Sequence, residues 1–192
     1  MKHYNKKKIN IYDHMNEIMK ALKKGITITT KSKDRVNTMT ISWGGMGIEW
    51  NKPIFTTYVR RSRYTHEFLE QTGVFTVNIP IDDSAKKAIK YVGTHSGRKE
   101  DKLAIAGLTP VDGETIDVPG LVELPITLEC KVLFKQEQTL ELMPEGFADK
   151  YYPEMTAEAI EKNGAPLKVG QRDVHIQYMA EIVNAYILEP MD

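Results

Sequence analysis

With 192 residues, 41% of them hydrophobic, the chain can bury one sizeable core, and a single domain over residues 1–192 is expected. Its 26 basic and 26 acidic residues cancel, which removes the global field that would recruit nucleic acid or an anionic membrane. No apolar run approaches the roughly 18–20 residues that span a bilayer, and the basic start MKHYNKKKIN lacks the apolar stretch of a signal peptide, so a cytoplasmic location is expected.

One cysteine excludes an internal disulfide framework. The five histidines show no helical pairing and there is no Cys/His cluster, so no metal site is predicted.

The first predicted element is a helix over residues 12–24, capped by Asp13, with Met15, Ile18, Met19 and Leu22 at helical spacing and Gly25 as its stop. A strand over 25–30 and a polar turn over 31–35 lead into a second strand, Val36 to Trp43. There, alternation puts Met39, Ile41 and Trp43 on one face and Thr38, Thr40 and Ser42 on the other. A glycine-rich loop over 44–47 precedes a β-rich run over 54–59. The segment Arg60-Arg61-Ser62-Arg63-Tyr64-Thr65 then opens a helix capped by Thr65 and closed by Gly73.

A strand over 74–81 follows, with Pro80 marking its end. Asp82, Asp83 and Ser84 cap a helix through Val92, closed by Gly93, and a polar loop over 94–102 enters a short helix stopped at Gly107. A short strand falls within 116–124 and a long one over 126–135, where Cys130 shares the apolar face. Residues 136–172, with three prolines and three aromatics, form an excursion that is either a functional segment such as a lid or a decorative loop packed on the barrel. A long strand over 173–188 ends the chain.

Many short strands, few helices and no βαβ series predict a mainly β protein, a closed antiparallel barrel with helical additions. Gly44-Gly45-Met46-Gly47 has the wrong spacing for a dinucleotide fingerprint and precedes no helix, so a nicotinamide cofactor would bind only transiently and elsewhere. Three arginines and two hydroxyl groups at a helix N-terminus favour a phosphate dianion. Small polar groups on the neighbouring strand suit the polar edge of a flat ring. Together they suggest a phosphorylated ring compound. The plainer alternatives are strand surface for Thr38, Thr40 and Ser42, solvent-facing chain for the 94–102 loop, and a barrel-face role for His175.

Asn37-Thr38-Met39-Thr40 with Ser42-Trp43, Lys52-Pro53, Tyr58-Val59-Arg60, Ser62-Arg63-Tyr64-Thr65 and Phe75-Thr76-Val77-Asn78 together resemble the flavin reductase–like family, most nearly its flavoredoxin-type branch. Ser96-Gly97 with Asp101-Lys102, and His175 with Glu181-Ile182, extend the likeness over Gly25 to Leu188. The resemblance implies a Greek-key-like, FMN-binding split β-barrel that forms a homodimer.

By the same resemblance Asn37, Thr38, Met39, Thr40, Ser42 and Trp43 line the isoalloxazine and ribityl chain. Arg60, Ser62, Arg63, Tyr64 and Thr65 form the phosphate-binding turn, and Ser96, Gly97 and Lys102 a second loop at the phosphate or ribityl end. His175, the one candidate catalytic residue, matches a histidine near the ring and the nicotinamide site, although the family's frequent G-D-H reads Arg172-Asp173-Val174-His175 here.

The implied activity is transfer of hydride or electrons from NAD(P)H through FMN, rather than FAD, to a flavin, a protein electron partner or a small acceptor. Alternatives are a flavoredoxin-like carrier that does not use NAD(P)H directly, and a non-catalytic flavin-binding module.

Overall fold

A computed structural model describes residues 4–163 and 166–191. The chain runs β1 (Tyr4–Lys8), α1 (Ile11–Lys24), β2 (Ile26–Ser32), β3 (Arg35–Ile41), β4 (Gly44–Glu49), β5 (Lys52–Arg60), α2 (Tyr64–Thr72), β6 (Val74–Ile79), α3 (Lys86–Thr94) and α4 (Lys102–Ala106). There follow β7 (Pro110–Val111), β8 (Gly120–Leu121), β9 (Ile126–Glu137), a 3-10 turn (Leu140–Leu142), α5 (Phe147–Tyr151), α6 (Ala157–Asn163) and β10 (His175–Pro190). No helix among the described residues is long and apolar enough to cross a membrane.

The main sheet is antiparallel throughout, in the order β3-β2-β6-β9-β10-β5-β4. The 16-residue β10 serves two neighbours on one edge: His175 to Glu181 pair with β5, and Tyr186 to Pro190 with β1. Strands β3 and β4 are adjacent in sequence but lie at opposite ends of this order and do not pair. The barrel is therefore split, where alternation and strand count predicted a closed one. The chain leaves β3 at Ser42 and Trp43 and crosses to β5, against which Gly44 packs so closely that a Cβ would lie 2.4 Å from Thr56 O. The glycine-rich stretch expected to be a loop is strand β4, in a hairpin with β5 through Trp50 and Asn51, both in the left-handed region.

One face of the sheet carries the apolar core, including Ile26, Ile28, Phe55, Phe75, Val77, Leu128, Cys130 and Tyr178, with Ile18 and Leu22 of α1 packed against it. The opposite face of β3, β2, β6 and β9 is polar and also buried. Thr38, Thr29, Asn78 and Thr76 form a hydrogen-bonded row across it, and the Thr76 hydroxyl donates to Pro119 O. The fully buried Glu129 carboxylate accepts from the N–H groups of Glu114 and Thr115, which fastens the covering segment over this face.

The ends of the first three helices differ from expectation. Asn10, not Asp13, caps α1 through the N–H of Tyr12. Arg63 is the N-cap residue of α2, and the Thr65 hydroxyl instead accepts from Asn37 Nδ2 at 2.8 Å. Helix α3 begins at Lys86 and continues through Gly93, which lies inside it because Thr40 packs there; a Cβ would sit 2.9 Å from Thr40 Cβ and Oγ1. Ile81 lies beyond β6 and is exposed.

This close approach sets the distance between α3 and β3. Gly93→Ala should destabilise the protein by about 1–3 kcal/mol, the usual cost of overpacking. Gly45→Ala, whose added Cβ meets nothing within 4 Å, should stay within about 0.5 kcal/mol. Urea unfolding of the two variants checks the difference.

Candidate functional site

Two clefts meet beside the end of β3. The first, about 230 Å³, lies between the start of α2 and the segment from the end of α3 to α4, and is lined by Asn37, Met39, Ser62, Arg63, Tyr64, Thr65, Ser96, Gly97 and Lys102 among others. The second, about 220 Å³, is lined by Met39, Thr40, Ile41, Ser42, Trp43, Tyr58, Arg60, Arg63 and His175. Met39 and Arg63 border both. The two together fall within the roughly 300–1,000 Å³ usual for small-molecule sites.

The sequence-predicted residues thus gather here, with one exception. Thr38 borders neither cleft. It is fully buried on the polar face, where its hydroxyl donates to Ile28 O, so only its backbone faces its neighbours' side of the strand. Trp43 also departs from its expected face. Ile41 is buried, but β3 ends there, and Trp43 is 49% exposed at the mouth of the second cleft.

The arginine turn is divided among three tasks. Arg60 donates to Asp173 O and Tyr151 O, at 3.0 and 2.9 Å, and Arg61 turns away to pair with Glu137. Among the described residues the Arg63 guanidinium makes no hydrogen bond or ion pair, and it borders both clefts. Crowding by protein atoms and the nearby Arg60 charge lower its pKa, against the opposing pull of Asp173. The turn itself is set by the buried Asp173 carboxylate, which accepts from Ser62 N–H at 3.0 Å. In the first turn of α2 the His66 N–H donates to Arg63 O, while the N–H groups of Tyr64 and Thr65 open beside Arg63.

Cationic groups from the 97–102 segment face the same space. Lys102 is almost completely buried; Nζ donates to Val92 O at 2.9 Å, and burial together with the Arg63 charge lowers its pKa to about 8. Gly97 packs so tightly on Asn37 that a Cβ would lie 2.1 Å from Oδ1, and that buried oxygen has no partner. Arg98, which sequence reading passed over, donates to Ser62 O and pairs with Glu67, and its guanidinium lies 5.1 Å from the Tyr64 ring centre. Arg35 lies on the same ring at 5.0 Å and donates to Gly97 O. The adjacency of Arg98 to Ser96-Gly97 was the available signal. Arg35 had none, because only the fold brings it there.

At the far end, His175 is buried beside Trp43, Tyr58 and Tyr152, with ring centres 5.0, 6.5 and 5.5 Å away. Burial, then the Arg60 and Arg63 charges, bring its imidazole pKa down to about 4, so it is neutral at ordinary pH. Tyr151 and Tyr152 come from the 136–172 excursion. It is fastened to the site through Arg60, which donates to Tyr151 O, and through the Tyr152 hydroxyl, 2.9 Å from His175 Nδ1.

The chain is thus a split antiparallel barrel with a polar, cation-rich cleft beside an aromatic one. The model of the flavin reductase like domain matches residues 19–190, and the chain belongs to that family. An uncharacterized protein of Archaeoglobus fulgidus is 32% identical over 104 residues, which are 54% of this chain and 58% of that protein. The match thus spans little more than half the length of that relative.

The fold is shared with an FMN-binding domain of a flavin reductases-like enzyme from Shewanella baltica. There the TM-score is 0.62 at 17% identity, covering 96% of this chain and 78% of the other. It is shared also with the flavoredoxin of Desulfovibrio vulgaris (Miyazaki F), with TM-score 0.60 and 24% identity over 85% and 68% of the two chains.

The lowered pKa of Lys102 means that between about pH 8 and 10.5 the unfolded chain holds a proton the folded chain has released. Stability contributed by this group therefore rises with pH across that window. Relative to Lys102→Met, the wild type should gain up to about 3 kcal/mol between pH 7.5 and 10.5, read by urea unfolding at each pH.

Proposed function

We propose that the protein is a single-domain, FMN-binding oxidoreductase, with the FMN phosphate in the first cleft and the isoalloxazine ring in the second. The observation that carries this reading is the Arg63 guanidinium, which has no hydrogen-bond or ion-pair partner among the described residues and borders both clefts, with the buried Lys102 beside it. A bound dianion would satisfy both cations and the N–H groups opening α2, and it would raise the lowered pKa of Lys102. Ser62, Tyr64, Thr65, Ser96 and Gly97 shape the phosphate and ribityl end. Asn37, Met39, Thr40, Ser42 and Trp43 border the path toward the ring. Bound flavin would supply the two-electron chemistry, taking hydride from NAD(P)H and passing electrons to a flavin, protein or small-molecule acceptor.

The chain's own part is to position and to exclude water. His175, neutral above about pH 4, serves as a polar contact at the ring end rather than as a proton donor. The excursion approaches that end through Tyr151, whose ring stands 6.3 Å from Trp43. This approach favours a second reading, an electron carrier in which nicotinamide has no direct access. We also infer a cytoplasmic homodimer. The edge strand β4 carries the exposed Ile48 and leads to the exposed Trp50, an apolar edge that a second copy would cover.

Purified protein should be yellow, or become so with FMN, and acid should release a pigment that co-migrates with FMN and not FAD. Arg63→Ala should weaken FMN binding by about 10–150-fold, the value of one charge-assisted hydrogen bond. It should leave riboflavin affinity nearly unchanged, and His175→Ala should lose less FMN than Arg63→Ala. Equal losses for FMN and riboflavin would remove the phosphate assignment. Stopped-flow mixing of the holoprotein with NADH and NADPH separates reductase from carrier, the carrier's flavin bleaching too slowly for turnover. Ile48→Lys should shift a dimer toward monomer by sedimentation velocity.

A further inference from the structure

Behind His175, which borders the ring-side cleft, runs a hydrogen-bond chain that the proposed function does not use. The Tyr152 hydroxyl donates to Gln138 Oε1 at 2.5 Å and lies 2.9 Å from His175 Nδ1. A hydroxyl has one hydrogen. With that hydrogen committed to Gln138, the Tyr152 oxygen can only accept from His175, which places the imidazole proton on Nδ1. The neutral ring then carries a lone pair on Nε2. His175 borders the ring-side cleft, and Nε2 has no hydrogen-bond partner among the described residues and is not sealed from solvent. The chain is held at both ends, since the backbone N–H of Gln138 donates to His175 O at 3.0 Å and the Tyr152 carbonyl accepts from Arg172.

We propose that Gln138 and Tyr152 are positioning residues that lock His175 in the Nδ1–H tautomer, so that Nε2 meets the bound molecule as a hydrogen-bond acceptor and selects an N–H or O–H group there. The tautomer stands on the geometry of this chain alone, whereas the ligand contact rests on the flavin reading. The lock also gives the excursion a role: Tyr152 belongs to it, and through Tyr152 it decides which polarity the site presents. An acceptor discriminates against a ligand that places a carbonyl at this point, because two lone pairs would then face each other in a partly desolvated space.

The test uses long-range ¹H–¹⁵N correlation spectra of the ligand-free full chain labelled at histidine, with the His175 signals assigned by their loss in His175→Gln. At pH 7 the wild type should show the Nδ1–H pattern. In Gln138→Leu the Tyr152 hydroxyl is free to donate to Nδ1, and the proton should move to Nε2, inverting the pattern. In Tyr152→Phe both tautomers should appear. A wild-type Nε2–H pattern, or a Gln138→Leu pattern identical to wild type, would overturn the lock. On addition of FMN to the wild type, the Nε2 resonance should move in the direction of accepted hydrogen bonds. FMN binding without that shift would overturn the ligand contact, and failure to bind FMN would overturn the flavin reading, with the tautomer decided by the first spectra.

Discussion

The Asp173 carboxylate, buried just before the last strand, holds the turn between β5 and α2 through the N–H of Ser62, 111 residues earlier in the chain. The Asp173 backbone carbonyl accepts from Arg60, so one residue sets both the path of the turn and the direction of its first arginine. With Arg60 tied inward and Arg61 paired outward with Glu137, Arg63 is left at the junction of the two clefts. Loss of a buried carboxylate with its charge-assisted hydrogen bond leaves an unmet N–H and an unbalanced cation. The site therefore depends on the pairing of β10 with β5 as much as on the turn itself.

The sheet supports this arrangement by burying both of its faces. Its apolar face packs on α1 in the ordinary way, while the opposite face carries threonines, Asn78 and Glu129 under the 113–120 segment. Buried hydroxyl and carboxylate groups are costly unless paired, and most of these are paired with one another or with backbone groups of the covering segment. The result is a directional, hydrogen-bonded layer on one face of β3, a strand that also borders the clefts. Thr38 belongs to that layer, and Asn37 and Met39 to the clefts.

The resemblance and the periodicities placed most strands correctly and brought nearly all candidate residues into one neighbourhood. They failed where a partner distant in sequence overrides a local rule. Thr65 has the chemistry of an N-cap, but Asn37 engages its hydroxyl. Gly93 looks like a helix stop, yet it sits inside α3 because Thr40 approaches there. Gly44 to Gly47 reads as a loop, and pairing with β5 makes it a strand. Arg35, Arg98 and Asp173 were missed as site residues because their importance lies in what they touch across the fold.

Local composition determined the strand-rich architecture, the helix–strand boundaries near Gly73 and Gly107, and a basic turn suited to an anion, since these follow from periodicity, backbone freedom and charge within a few residues. Which arginine faces the cleft, whether the barrel closes and how His175 holds its proton are set by hydrogen bonds and close packing between distant segments, such as Arg60 and Asp173, 113 residues apart. Such pairings have no short-range signature, because each requires two surfaces that only the assembled sheet brings together.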